Sequence, residues 1–315
     1  MTRSPKFARG AEFFFPAESE RWLVVLRMGM GLQVCLYCLW LRRDWSFFLA
    51  GTGSGLLGRQ ISEALLAMET SLVPTLSWLV RAAAAAGLGE RTALLLCWFV
   101  LLGAGVCLLG GFFFRAAAVT AWFVHLCVAK SGGFLSYGVD NFITIGLFYL
   151  MLAPRPSAPV LGGRRGRNRP PDPHLLGFCR RLLQIHLCFV YFFSGLSKAL
   201  GSGWWDGSNL WRALIRPPFS FVPPEFLVSW KYFLPLAGIS ICVIELGYPV
   251  MIAMKKSRAL WLALVCAMHA GIGLAMGMYL FGLVMIVLNI AAFATRTSKP
   301  RADLQPAGQA AAPAL

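Results

Sequence analysis

Charge is what this chain has least of. Only 13% of its 315 residues are charged, and Asp and Glu together number 13. Soluble domains carry roughly a quarter charged residues, so an ordinary water-facing globule is excluded. The motifs of several soluble enzyme classes are missing as well. There is no HExxH zinc pair, no GxSxG nucleophile elbow and no CxxCH haem attachment. GTGSGLLG, at 51–58, has glycines spaced like a phosphate loop but lacks the lysine and a preceding strand, so it reads as a loop. Nine cysteines all fall in apolar segments, which leaves neither a secreted disulfide framework nor a zinc site. Cys35 and Cys38, in CLYC, share one face of a helix; that spacing suits a redox pair or, more simply, two small buried apolar residues. No internal repeat is visible, and the inverted halves of secondary transporters are not evident.

What is abundant is apolar sequence: 58% hydrophobic residues and a mean hydropathy of +0.66. Several runs reach the roughly 18–20 residues that cross a hydrocarbon core. The pattern predicts an all-α, polytopic membrane helix bundle of about eight transmembrane helices, over 22–41, 93–112, 115–132, 139–153, 178–198, 232–254, 259–275 and 277–295. Helices are required because unpaired backbone groups are too costly in lipid and the alternation of a barrel is absent. A tight turn at Met276 and Gly277 joins the last two spans. The chain divides into an N-terminal arm (1–21), a transmembrane domain (22–295) and a flexible tail (296–315).

The net charge of +16 resides in short connections rather than in a nucleic-acid-binding face, so no nucleic-acid role is expected. Arg3, Lys6, Arg9 and Arg21 precede the first span. Arg115, the basic stretch from Arg155 to Arg181, Lys255, Lys256 and Arg258 fill the even-numbered connections, and Arg296, Lys299 and Arg301 follow the last span. The positive-inside rule then places both termini in the cytoplasm (N-in, C-in), with a bacterial cytoplasmic membrane as the expected location. Arg42 and Arg43 count against this orientation, although long connections obey the rule poorly. RRGRNR, at 164–169, suits anionic lipid headgroups. The first 21 residues lack a cleavable signal pattern, so a signal-anchor is expected. In the long first outer connection, ISEALLAMETSLVPTLSWLVRAAAAAG predicts one or two interfacial helices, the second broken near its start by Pro74.

Ionisable and polar residues inside spans are functional candidates by default. Gln184, Tyr191, Ser194 and Lys198 recur at seven, three and four residues, which is one helical face. Lys198 has two readings. It is a snorkelling lysine above an aromatic belt of Trp204 and Trp205, or an inward-facing amine serving as a general base. His269, on the seventh span, suits either an interhelical hydrogen bond or proton chemistry. Lys130, Asp140 and Asn141 cluster at the outer mouth, where Asp140 is placed to pair with Lys130 or Lys198. Glu245 is deeper in the sixth span, and Arg27 on the first span is read as its structural partner. His125, His186 and Asn289 are expected to bond between helices.

YFFSGLSKALGSGWWDG, from Tyr191, resembles the lysine-bearing segment of the transmembrane region of vitamin K-dependent gamma-carboxylases, the HTTM family. LRMGMGL, LSYGVDNFITIGLFYLMLAP and CAMHAGIGLAMGMYLFG are similar to it in the same order, over roughly residues 20–295. The resemblance implies a membrane protein that binds or transforms a quinone-like lipid, with Lys198 as the catalytic base. His269 would assist, and Tyr191, Ser194, Asp140, Asn141, Lys130 and Trp205 would bind ligand. It covers only the membrane part of the carboxylase, and Ser197 stands where the family has the first of two lysines, so carboxylation of protein substrates is not expected. The partners implied are the lipid bilayer and an extramembrane enzymatic protein. The competing reading is a non-enzymatic scaffold or transporter-like protein whose polar residues only join helices.

Overall fold

The computed structural model describes residues 10, 12–51, 58–70, 72–133, 136–157, 171–217 and 221–294. The tail, RRGRNR, GTGSGLLG apart from its two end glycines, and the first nine residues of the arm lie outside the described residues. All regular structure among the described residues is helical. In chain order the helices are α1 (Arg21–Leu41), α2 (Trp45–Leu49), α3 (Arg59–Glu69), α4 (Leu76–Ala85), α5 (Glu90–Gly110), α6 (Phe114–Ser131) and α7 (Gly138–Leu152). They continue with α8 (Pro173–Ala199), α9 (Ser202–Trp205), α10 (Ser208–Ile215), α11 (Pro224–Ser229), α12 (Phe233–Ala253), α13 (Arg258–Met276) and α14 (Tyr279–Asn289), which runs into a π-helical turn at Ile290–Ala294.

Five helices, α1, α5, α8, α12 and α13, are long and apolar enough to cross a membrane. Helices also occupy the positions of the other three expected spans, α6, α7 and α14 with its π turn, and these are shorter or less apolar. Local chemistry accounts for several boundaries. Asp172 accepts a bond from the His174 N–H, and Pro173 opens α8, where its missing N–H costs nothing. Tyr137 and Asp140 form a reciprocal capping box at the start of α7. Gly277, at φ 68°, ends α13 in the left-handed region and allows the tight turn into α14 expected from the sequence.

Consecutive long helices run antiparallel. The end that carries the C-termini of α1, α6, α8 and α13 is called the upper end below. One wall packs α1 against α5, α5 against α6 and α6 against α7; the other packs α8 against α12 and α12 against α13. Helix α14 lies between them, touching α1, α7 and α13, and its π turn reaches α8. One continuous apolar core links the walls. The expected pair of helices in the first connection is present as α3 and α4, with Pro74 in the break between them.

The first connection is held down by a polar lock that the sequence did not announce. Arg59 is 4% exposed. It donates to Leu49 O at 2.9 Å, to Ser77 Oγ and to Glu90 Oε1, with Glu63 Oε1 at 3.7 Å. Glu63 in turn accepts from Ser131 Oγ at 2.5 Å and from the Ser77 N–H at 3.2 Å. Together these residues tie α3 and α4 to α5 and α6. At the lower end, Arg180 pairs with Glu18 at 2.7 Å and donates to Ala292 O at 3.0 Å, binding the N-terminal segment and the π turn to α8. Gln184 donates to the same Ala292 carbonyl at 2.7 Å. A π turn leaves carbonyls outside the i→i−4 pattern, and side chains of α8 occupy this one.

Two pairings expected from the sequence are corrected. Arg27 does not pair with Glu245: its Nη1 donates to Leu108 O at 2.6 Å, because α1 packs on α5 whereas Glu245 lies on α12 against α8. Asp140 pairs with neither Lys130 nor Lys198. Its carboxylate accepts from the Tyr137 N–H at 3.0 Å and from Ser136 Oγ at 3.3 Å, in the turn that starts α7.

Candidate functional site

A polar seam runs between α8, α12, α13 and α14. Its upper part is Lys198, whose Nζ lies 2.6 Å from Glu245 Oε2 and 2.6 Å from Ser194 Oγ. The Lys198 side chain is 20% exposed and that of Glu245 8%. The amine is therefore turned inward rather than extended into headgroups, and the Trp204 ring covers it at 5.5 Å. Gly195 makes this approach feasible. A Cβ there would stand 2.7 Å from Leu246 N and 2.9 Å from Glu245 Cβ, so any side chain would push α8 off α12.

Seven residues earlier on α8, about 10 Å along the axis, Tyr191 begins the lower part of the seam. The Tyr248 hydroxyl donates to Asn289 Oδ1 at 2.7 Å. Asn289 Nδ2 donates to Tyr191 Oη at 2.8 Å and to Met285 O at 2.8 Å. With its acceptor capacity used in this way, the Tyr191 hydroxyl donates to His269 Nε2 at 2.7 Å. The direction of this chain puts the imidazole proton on His269 Nδ1, which is buried and without a partner among the described residues. The Tyr191 and Tyr248 rings stack at 4.1 Å between centroids. Asn289 thus joins three helices. Replacing it with leucine is expected to cost about 1–2 kcal/mol, read as a lower Tm in detergent with the helical circular dichroism unchanged.

Of the residues singled out in the sequence, Tyr191, Ser194, Lys198, His269 and Glu245 share this seam. Lys130 and Asn141 are exposed at the upper end and do not reach it. Trp205 is half exposed and donates to Ala199 O at 2.8 Å; its neighbour Trp204 is the ring that faces Lys198. His125 and His186 do bond between helices, to Thr144 at 3.0 Å and Tyr149 at 3.1 Å. Cys35 and Cys38 are buried free thiols. Tyr248 was missed, although it lies three residues after Glu245 and so shares its face.

A separate aromatic cavity of ≈ 430 Å³ opens at the upper end, between α1, α2, α6, α7 and α14. Asp140 is among its lining residues, whereas Lys198, Glu245 and His269 are not. The seam and the cavity are distinct places in the fold. Compared with protein-family models, curated proteins and solved structures, the chain matches none.

Proposed function

We propose that this chain is an integral membrane protein of the HTTM kind. In this reading eight helices cross the bilayer with both termini cytoplasmic, and α3 and α4 lie in the outer interface. A quinone-like lipid approaches the Lys198–Glu245 pair from the side covered by Trp204. The observation that carries the reading is the inward-turned amine, held by a carboxylate and a hydroxyl on adjacent helices. Transfer of the shared proton from Nζ to Oε2 leaves the amine lone pair that a general base needs to accept a hydroxyl proton from the reduced, hydroquinone form of the headgroup. His269 and Tyr191 then serve as positioning residues one to two turns below.

A second reading treats the pair as a clamp between α8 and α12. It is favoured by the geometry, since two of the three N–H groups of Nζ are bonded within the protein and the aromatic cavity lies elsewhere. Lipid extraction from protein purified in mild detergent separates the two. The enzyme reading expects about one quinone per chain in the wild type, and none in a folded Lys198→Met, Glu245→Gln double variant. A wild type that carries no quinone, and gains none when menaquinone is supplied, leaves the clamp.

A further inference from the structure

The upper cavity lies apart from the seam, and its chemistry selects a different ligand. Its walls include Tyr37, Trp40, Trp45, Tyr137 and Tyr279, and the one carboxylate among its lining residues is Asp140, 4% exposed. Neither lysine nor arginine lines it among the described residues. Aromatic faces around a lone carboxylate attract an organic cation through the ring quadrupoles and repel an anion.

Behind the wall, His125 borders Asp140 but is not among the residues that line the cavity. Thr144 commits its hydroxyl proton to Asp140 O at 2.8 Å. It must therefore accept from His125 Nδ1, 3.0 Å away, which leaves His125 Nε2 as a bare lone pair. That nitrogen is fully buried, has no hydrogen-bond partner among the described residues, and faces Asp140 Oδ1 at 3.9 Å. The separation is too long for a direct bond. Two acceptors thus confront each other with no donor between them. The Tyr37 phenol, which also lines the cavity, lies beside the carboxylate.

We propose that the upper cavity binds the primary ammonium head of an amphiphile, its N–H groups donating to Asp140 and its charge facing the aromatic walls. Two sources carry this chemistry, a single-chain amine and an ethanolamine phospholipid, and the experiment distinguishes them. The protein is placed in phosphatidylcholine nanodiscs, with dodecylamine titrated in one arm and phosphatidylethanolamine mixed in for the other. Bound species are counted by native mass spectrometry. Dodecylamine retained in preference to dodecanol and dodecanoate assigns a single-chain amine; selective retention of phosphatidylethanolamine assigns the phospholipid head.

In either case Asp140→Asn is expected to weaken retention about tenfold or more. The amide oxygen can still accept from the Tyr137 N–H, so the start of α7 is kept. Trp40→Leu, at a residue 65% exposed, is expected to weaken retention about two- to fivefold and serves as the check if Asp140→Asn does not fold. Phe193→Leu, at a residue 59% exposed, should leave retention unchanged, since Phe193 does not line the cavity. Retention of neither amine, or equal retention of amine and alcohol, overturns the proposal. So does amine binding that both Asp140→Asn and Trp40→Leu leave untouched.

Discussion

Replacing Lys198 with methionine is expected to destabilise the protein by about 2–4 kcal/mol, because it strands the Glu245 carboxylate between helices. The pair distance of 2.6 Å and the 8% exposure of Glu245 set the direction. Glu245→Gln strands the amine instead, and should cost less because the Lys198 side chain is 20% exposed and can reach water. The double variant Lys198→Met, Glu245→Gln removes both charges and is expected to recover most of the loss, as neutral replacements of buried pairs often do. Thermal unfolding of the four proteins in one detergent gives the coupling energy directly. Additive single losses would show that the two groups do not interact. The cycle also serves the functional question, since the recovered double variant is the folded protein in which quinone binding should be absent.

Arg59→Met is expected to be as damaging, at about 3–5 kcal/mol, through another route. Arg59 satisfies Leu49 O, Ser77 and Glu90 at once, and is close to Glu63. Without it Glu63 loses its counter-charge, and α3 and α4 lose their anchor on α5 and α6. Limited proteolysis should then cut within residues 59–89 well before the long helices, and hydrogen exchange of α4 should accelerate. Equal protection in the variant and the wild type would mean that apolar packing of Leu76 and its neighbours holds the connection unaided.

Much of the helical layout was legible in the sequence because it depends on local properties. Apolar run length and Gly277 at a helix end act within one helix, and their helices appear within a few residues of expectation, although α8 opens at Pro173, ahead of the span expected from 178. The polar face of α8 was legible for the same reason, since Tyr191, Ser194 and Lys198 share one helix and its 3.6-residue period. Their partners were not. Glu245 was assigned to Arg27, although α1 lies against α5 and α12 against α8. Sequence charge says which groups need partners, but only packing says which helices are neighbours.

The same division applies to the two candidate sites. Composition and periodicity alone determined that this is a helical chain with membrane-length apolar segments and an amine on a polar helix face. Tertiary structure alone decided that the amine meets Glu245, that Asn289 joins three helices, and that Asp140 belongs to an aromatic cavity away from Lys198. The physical reason is range. Helix formation and burial tendency are written in residues three or four apart, whereas these contacts join residues 41 to 98 positions apart, and nothing but the assembled bundle brings them within hydrogen-bonding distance.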